Sequence, residues 1–395
     1  MNLNLWLLAF AQGLFLTNNV TFIAINGLVG WSIAPLGWMA TLPVVGYVVG
    51  GALSTGMVAK TQKKYGRKMS FQLGLVVGML SAAVCAYAAH TQQFWLLVAS
   101  TMVAGFYNAN ASLYRFAAAE LALPAFKEKA VSLVMAGGLL GAVLGPNLAQ
   151  WTKSIFAVPF VGAYTALVFI ALLSMLVISR IQFPELPKDQ KNQATADLGR
   201  PLAEIVKQPI FIVAALASSL GYGVMNLLMA ATPLAMQNCG LSFSDTALVL
   251  EWHVIGMFAP GFFTGHLIKR FGVLRIMGIG VLLNFVCIAI ALSGQELHQY
   301  LIALFLLGLG WNFLFTGGTT LALTTYQPVE KDRAQGAINF ITFAVLAFTS
   351  FASGAMVTTQ GWSMLNTLSL LPVFVIGLAL IWLAIRHAIA HNIPS

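Results

Sequence analysis

Charged residues are scarce in this chain, and their scarcity indicates which solvent surrounds it. Asp, Glu, Lys and Arg together make up 8% of the 395 residues, whereas 59% are apolar. A water-soluble domain carries roughly 25% charged residues, so that class is excluded. The first charged residue is Lys60, and the preceding stretch is long enough for two membrane spans of about 20 residues each. We therefore predict an integral membrane protein.

Cysteines are also few, and the N-terminus lacks a basic region. Cys85, Cys239 and Cys287 have neither the number nor the spacing of a disulfide framework or a zinc site. We expect no metal and no cofactor. Because the first apolar run is too long for a signal peptide and has no basic start, we expect it to remain as the first membrane helix.

Sequence motifs of enzymes and nucleic-acid binders are missing as well. The chain has no G-x-x-x-x-G-K-[ST] loop, no H-E-x-x-H and no G-x-S-x-G elbow. Its net charge of +9 resides in short turns between apolar runs, without a basic face or an RNA-binding motif. We therefore predict a protein that is not an enzyme and does not bind nucleic acid. We also expect a monomer.

Polar turns divide the apolar sequence into twelve predicted helices. Each apolar segment is about as long as a helix needs to be to cross a bilayer. The predicted spans are 3–28, 36–59, 69–89, 94–119, 130–151, 156–179, 209–233, 244–267, 273–293, 299–324, 334–357 and 364–385. The fold class is thus an all-α membrane protein with twelve transmembrane helices.

The lysines and arginines predict the orientation of these spans. All but two lie on one side of the predicted membrane; the exceptions are Lys153, on the opposite side, and Arg115, inside span four. By the positive-inside rule both termini are cytoplasmic. We expect a multi-pass protein of a bacterial inner membrane.

The two halves of the chain repeat one pattern. Three features recur in the same order: Pro124 and Pro328, Lys127-Glu128-Lys129 and Lys331-Asp332-Arg333, and Tyr65-Gly66 and Phe271-Gly272. Their near-constant spacing predicts two parallel six-helix repeats. The predicted domains are a first bundle of residues 1–180, a cytoplasmic linker of residues 181–208 with a short helix near Pro201–Lys207, and a second bundle of residues 209–395.

Two motifs resemble a known family. The turn after span two reads Lys63-Lys64-Tyr65-Gly66-Arg67-Lys68 and is similar to the Asp-Arg-x-Gly-Arg-Lys signature of the major facilitator superfamily, with lysine in place of aspartate. Span five carries Gly137, Gly141 and Gly145-Pro146, which resembles the glycine-proline motif of drug/proton antiporters, although the arginine that antiporters often carry early in span four is missing. The resemblance implies the major facilitator fold, with spans one, four, seven and ten around a central cavity.

A polar stripe on span four is the first candidate site. Asn108, Ser112 and Arg115 are spaced i, i+4 and i+7, so they share one face of a helix. A charge at mid-helix costs about 2.5–3.5 kcal/mol on insertion scales, which calls for a compensating role. Given the resemblance, we predict that the stripe contacts substrate or a cytoplasmic gate. Alternatively, Arg115 extends to the lipid headgroups, or bonds Glu120 or another helix.

Span eight carries the candidates for proton coupling. Glu251 lies about seven residues into the span, where we expect a buried carboxyl that takes up protons or binds a cationic substrate. A static, hydrogen-bonded glutamic acid is the alternative. His253 points to another face and either bonds a neighbouring helix or carries protons. At the start of this span, Ser242 and Asp245 have the spacing of a capping box.

Amide and aromatic side chains recur on the other cavity-lining spans. They suit a mostly apolar ligand with a few polar groups, although polar side chains also hold membrane helices together. The predicted substrate contacts besides the stripe are Gln12, Asn19, Asn26, Tyr222, Asn226, Trp311, Asn312 and Phe315.

The basic turns, the end of span four and the span-five motif supply the predicted gating residues. These are Arg67, Glu120, Gly145, Pro146, Lys269 and Arg270. For the glycines of span five, close packing of helices is the alternative.

The predicted function is secondary transport by alternating access. The span-five motif and Glu251 favour proton-coupled efflux of a small amphipathic organic compound. The missing antiporter arginine favours an importer of a nutrient such as a vitamin or a small chelate. So do Lys63 and its counterpart Lys269 in the second half, which stand where the family usually has aspartate. A membrane sensor or assembly partner that does not transport is a third hypothesis. The expected partners are a small-molecule substrate, protons and lipid.

Overall fold

The computed structural model describes residues 3–36, 39, 42–184 and 199–391, and these contain helices and turns but no β-strand. Two compact units emerge from their contacts. Unit 1 comprises Met1–Leu198 together with Gln335–Ala344, and unit 2 comprises Gly199–Ala334 together with Val345–Ser395. The all-helical architecture agrees with the sequence prediction.

Seven helices in chain order build unit 1. They are α1 (Leu3–Ile33), α2 (Leu42–His90), α3 (Phe94–Ala111), α4 (Tyr114–Leu121), α5 (Lys127–Ala136), α6 (Gly138–Thr152) and α7 (Val161–Arg180). A 3₁₀ turn, Pro124–Phe126, precedes α5.

Eight helices follow. They are α8 (Leu202–Val206), α9 (Pro209–Asn238), α10 (Phe243–Phe258), α11 (Thr264–Phe271), α12 (Val273–Ser293), α13 (Leu297–Ala322), α14 (Lys331–Thr359) and α15 (Gly361–His391). Residues Gln335–Ala344 of α14 are the part that belongs to unit 1. The short helix predicted near Pro201 is confirmed as α8, and the predicted capping box of Ser242 and Asp245 is confirmed at the start of α10.

Nine helices among the described residues are long and apolar enough to cross a membrane. The 49-residue α2 counts as one of them, but at 1.5 Å per residue it would measure about 74 Å, more than twice the thickness of a hydrocarbon core of about 30 Å. It is two helices joined at a kink at Gly66. Span four is interrupted between α3 and α4. The count of twelve and the side of the termini stay predictions.

The kink at Gly66 has a counterpart in the second half of the chain. Gly66 has φ 80° and ψ 172°, and Gly272, between α11 and α12, has φ 90° and ψ 148°. Side-chain-bearing residues are essentially absent from this region of backbone angles because their Cβ clashes with the main chain. The matching glycines of the sequence repeat therefore make turns of the same conformation.

The core of unit 1 lies among α1, α2, α3 and α7. The ring centroids of Phe22 and Tyr47 are 4.9 Å apart, and those of Phe22 and Tyr164 are 6.1 Å apart. All three side chains are almost completely buried. This aromatic cluster fixes α1 against α2 and α7, and so positions the polar residues of α1.

Replacing Gly66 with alanine should destabilise the protein through backbone strain alone, since a Cβ there would have nothing within 4 Å. We expect a cost of about 1–3 kcal/mol, seen as a lower Tm of the purified protein. Gly56→Ala is the matched control, because Gly56 is an exposed glycine within α2 that also has free space around it. There alanine should stabilise the helix slightly. Equal Tm values for the two variants would contradict the strain argument.

Candidate functional site

The polar stripe of span four lies at a break in the helix. The chain leaves the α-helical pattern between Ala111 and Tyr114, where Leu113 N–H donates to the carbonyl of Asn110 at 3.1 Å, three residues back. The Ser112 hydroxyl donates to the carbonyl of Ala109 at 2.8 Å. A short polar side chain that competes for main-chain carbonyls in this way bends a helix.

A residue of α14 bridges the two ends of this break. Asn339 Oδ1 accepts a hydrogen bond from Arg115 Nη2 at 3.1 Å, and Asn339 Nδ2 donates to Ser112 Oγ at 2.7 Å. Arg115 and Asn339 are both 3% exposed. Among the alternatives for Arg115, a bond to another helix is therefore observed. Asn108, the third member of the stripe, is buried one turn earlier.

Arg67 is the centre of a second network in unit 1. Its Nη2 donates to Glu120 Oε1 at 2.6 Å and to Gln335 Oε1 at 2.6 Å, and its Nε donates to Glu120 Oε2 at 3.2 Å. Nη1 donates to Gln62. The guanidinium and the carboxylate thus form a two-point ion pair, the strongest geometry for such a pair. Two of the predicted gating residues are brought together here.

The corresponding position in the second half carries a different arrangement. Val273 follows the turn glycine where Arg67 follows Gly66, so the ion pair has no counterpart there. Lys269 and Arg270, the other predicted gating cations, are exposed in the last turn of α11. A positive charge at this end of a helix complements its dipole.

An ion pair in unit 2 joins the end of the linker to the start of α14. Arg200 Nη2 lies 2.7 Å from Glu330 Oε2, and Glu330 is 1% exposed. Both the main-chain N–H and the Nε of Arg200 donate to Glu330 Oε1, at 2.7 and 2.9 Å. These side-chain bonds lower the pKa of Glu330 from 4.5 to about 2.

The three predicted polar residues of α1 differ in their surroundings. Asn26 is fully buried and its Oδ1 accepts from the Tyr164 hydroxyl at 2.5 Å, so it ties α1 to α7. Gln12 is also buried. Asn19 is half-buried, and within the described part of the chain its Oδ1 has no hydrogen-bond partner. Asn19 therefore presents an acceptor to a ligand.

The glycines of span five pack against α1. A Cβ on Gly141 would lie 2.4 Å from the Cβ of Leu16, and one on Gly145 would lie 2.9 Å from the Cβ of Val20. The Thr21 hydroxyl donates to the carbonyl of Gly145 at 2.8 Å. Close packing accounts for these glycines, and a gating role stays a prediction. The side chain of Pro146 lies outside the described residues.

Predicted aromatic contacts converge in unit 2. Trp311 and Phe315 stack with their centroids 4.9 Å apart, and Tyr222 meets both edge to face at 5.3 and 5.2 Å. Phe258 closes the cluster at 5.6 Å from Trp311. Trp311 Nε1 is buried without a hydrogen-bond partner among the residues that the structure describes, and such an atom calls for an explanation.

The two predicted asparagines of unit 2 bond neighbouring helices. Asn312 Nδ2 donates to the carbonyl of Met257 at 2.7 Å, and its Oδ1 accepts from Thr264 at 2.7 Å. Met257 lies before the 3₁₀ turn that contains Pro260, and Thr264 lies after it, so Asn312 ties α13 to both sides of this turn. Asn226 donates to Thr349 and Ser350 at 3.1 and 2.9 Å.

The expectation of a buried Glu251 is wrong, because its side chain is exposed. Position along a span does not tell which way a residue faces, and at 100° per residue Glu251 turns away from the neighbouring helices. His253 is fully buried, and its Nδ1 lies 2.6 Å from the carbonyl of Leu304 on α13. The predicted bond of His253 to a neighbouring helix is therefore present. Its Nε2 has no partner within the described ranges.

Comparison with protein families decides the class of the chain. The family model of the Major Facilitator Superfamily matches residues 5–250 and 214–394. The chain belongs to this superfamily. The riboflavin transporter RfnT of Brucella anthropi is 37% identical over 366 residues, which are 92% of each chain. The MFS-type transporter YddS of Bacillus subtilis is 28% identical over 333 residues, 80% of this chain and 74% of the other.

Solved structures share the fold. The human organic anion transporter MFSD10 superimposes with a TM-score of 0.74 at 16% identity, over 95% of this chain and 100% of the other. The fucose:proton symporter FucP of E. coli gives a TM-score of 0.72 at 16% identity, over 94% and 97%. The protein is therefore a multi-pass membrane transporter of the major facilitator fold, and its family consists of transporters rather than enzymes.

Sequence reasoning missed the partners that complete both arginine networks of unit 1. Gln335 and Asn339 lie four residues apart on α14 and contact Arg67 and Arg115 respectively. Two amides at i and i+4 in an otherwise apolar span were the available signal. Arg200 and Glu330 were also missed, because nothing in the sequence pairs a linker residue with one so far along the chain.

Removing the buried carboxylate of Glu330 should destabilise unit 2. Because the pKa of Glu330 is depressed in the folded protein, the ion pair stabilises the fold above about pH 4.5, and this contribution is lost as pH falls toward 2. Glu330→Gln should therefore lower the Tm by a few degrees at neutral pH, and the deficit should shrink toward pH 3. Glu204→Gln removes an exposed charge close to Arg200 and should have little effect. A pH-independent deficit would contradict the assignment.

Proposed function

We propose that the protein imports riboflavin or a closely related flavin by alternating access. The observation that carries the proposal is the 37% identity to a riboflavin transporter over 92% of both chains. It agrees with the vitamin importer that the sequence offers as one of its hypotheses. A flavin joins a flat aromatic ring system to a polar chain, which is the kind of ligand expected for amides set among aromatic residues.

The aromatic cluster of unit 2 supports a flat aromatic ligand. Trp311, Phe315 and Tyr222 lie within 5.3 Å of one another by ring centroids. Aromatic pairs stabilise one another by about 0.5–1.5 kcal/mol beyond the area they bury, and a flavin ring would offer the same interaction. Tyr222 is half-buried and is the member that we expect to meet the ligand first.

Several features support import over export. The arginine that drug/proton antiporters often carry early in span four is missing, and the glycines of span five are accounted for by packing against α1. The two sequence motifs that would favour efflux are therefore absent or explained by packing. We place the transporter in the inner membrane of a bacterium with both termini cytoplasmic, as the distribution of lysine and arginine indicates.

Glu251 is our candidate for coupling transport to protons. An ionisable side chain within an apolar span costs about 2.5–3.5 kcal/mol on insertion scales, so its presence there calls for a functional role. The side chain of Glu251 is exposed on α10 rather than enclosed by neighbouring helices. We keep His253 as a second candidate because its buried Nε2 could accept a proton when α10 and α13 separate.

The two networks of unit 1 suit a gate. Each joins residues far apart in the sequence through a few charge-assisted hydrogen bonds, about twice as strong as neutral ones. Such contacts can break and re-form as a unit during a conformational cycle. We propose that Arg67, Glu120 and Gln335 act in this way.

The substrate prediction is tested by uptake into proteoliposomes. Purified protein should transport radiolabelled riboflavin, and unlabelled riboflavin should compete, whereas fucose should not. Tyr222→Ala should reduce uptake by about fivefold through the loss of a stacking partner of roughly 1 kcal/mol, while Tyr87→Ala, at an exposed tyrosine of α2, should not. Absence of flavin uptake in both vesicle orientations would overturn the proposal.

The coupling prediction is tested with an imposed pH gradient. In wild-type vesicles an inward-directed proton gradient should accelerate uptake, and Glu251→Gln should abolish the acceleration while leaving exchange of riboflavin without a gradient intact. Glu296→Gln removes a carboxylate that is 79% exposed in a loop and should behave as wild type. Unchanged gradient-driven uptake by Glu251→Gln would rule this residue out.

A further inference from the structure

The contact of Asn339 with the break in span four has the chemistry of a bound ligand. Its carboxamide offers one acceptor and one donor side by side, and both are used: Oδ1 accepts from Arg115 and Nδ2 donates to Ser112. All the groups lie in unit 1. Asn339 and Arg115 are both more than nine-tenths buried, so water does not compete for the bond between them, and Ser112 is half-buried.

The hydrogen-bonding capacity of Ser112 makes this contact selective. Its hydroxyl proton is committed to the carbonyl of Ala109 at 2.8 Å, so toward Asn339 it acts as an acceptor. Arg115 has donors and no acceptor. The pair therefore requires a partner with an acceptor opposite Arg115 and an N–H opposite Ser112. A C=O joined directly to an N–H on the same side, as in a carboxamide, a lactam or a cyclic imide, meets that requirement.

We propose that Arg115 and Ser112 bind the imide edge of the substrate, and that Asn339 occupies this edge when substrate is absent. The inference rests on the proposed function, because the isoalloxazine ring of a flavin carries a cyclic imide in which an N–H stands between two carbonyl groups. Substrate binding then exchanges one carboxamide for another group of the same pattern. The exchange releases Asn339, and with it the segment of α14 that includes Gln335.

The exchange explains why a neutral residue faces Arg115. An aspartate at position 339 would form an ion pair with Arg115 that a neutral imide could not displace. A leucine would leave the acceptor of Ser112 without a donor, which costs more than a made bond gains. The hydrogen bonds of Asn339 to Arg115 and Ser112 hold the site closed when it is empty, and a neutral imide can replace them.

The test measures binding of three ligands to the purified, full-length protein. Quenching of flavin fluorescence reports riboflavin and its N3-methyl derivative, which lacks only the imide N–H. Isothermal titration reports 5,6-dimethyluracil, which has the imide and no flavin ring. We expect N3-methylriboflavin to bind at least about tenfold more weakly than riboflavin, because it leaves Ser112 unpaired.

Three variants assign the effect to these residues. Ser112→Ala should reduce the discrimination between the two flavins to less than about twofold. Asn339→Asp should weaken riboflavin binding, whereas Asn339→Leu should keep or improve it and retain the discrimination. Ser369→Ala, at a buried serine of α15 that also donates to a main-chain carbonyl four residues back, should match wild type. The Tm of each variant reports whether it folds.

The outcomes separate this inference from the proposed function. Equal binding of both flavins, or discrimination that survives in a folded Ser112→Ala protein, would overturn the imide site and leave flavin transport standing. Binding of dimethyluracil that is lost in a folded Ser112→Ala protein, without binding of either flavin, would support the imide site and overturn flavin as the substrate. Failure of all three ligands to bind would overturn both.

Discussion

Two guanidinium groups buried in an apolar unit impose a constraint that shapes the rest of unit 1. A charged group removed from water must be held by polar partners, because leaving it alone in a medium of low dielectric is prohibitively costly. The partners of Arg67 come from α2, α4 and α14, and the partner of Arg115 comes from α14. Residues Gln335–Ala344 belong to unit 1, and within this segment Gln335 and Asn339 bond these arginines.

The two repeats share a scaffold but differ in polar content. Gly66 and Gly272 make turns of the same conformation, and Asn108 and Asn312 fall at matching positions. In the second half α13 runs without interruption from Leu297 to Ala322. The corresponding span four of the first half is broken at the polar stripe. The features common to both repeats are the turns and the helix pairs. The position where the repeats differ, the break in span four, carries the polar residues that we propose bind substrate.

Polar residues in membrane helices either bond neighbouring helices or offer a polar atom to a ligand, and the sequence does not distinguish the two. Asn312 bonds Met257 and Thr264 through both ends of its carboxamide and so holds helices together. Asn26 does so through Oδ1 alone, bonded to Tyr164, and its Nδ2 has no partner among the described residues. Asn19 and Trp311 keep a buried atom without a partner in the described structure. Both kinds look alike as an isolated amide or indole in an apolar run. The distinction depends on neighbours contributed by other helices.

The sequence by itself determined that the chain is helical, resides in a membrane, is built on a repeat and belongs to a transporter class. Hydropathy, charge placement and turn glycines act over a few residues, so they can be read without the fold. Only the tertiary structure decided which polar groups meet: that Glu120 pairs with Arg67, that Asn339 bridges Arg115 and Ser112, and that Glu251 is exposed. Those outcomes depend on how each helix is rotated about its axis and on partners far away in the chain. A local sequence pattern contains no information about either.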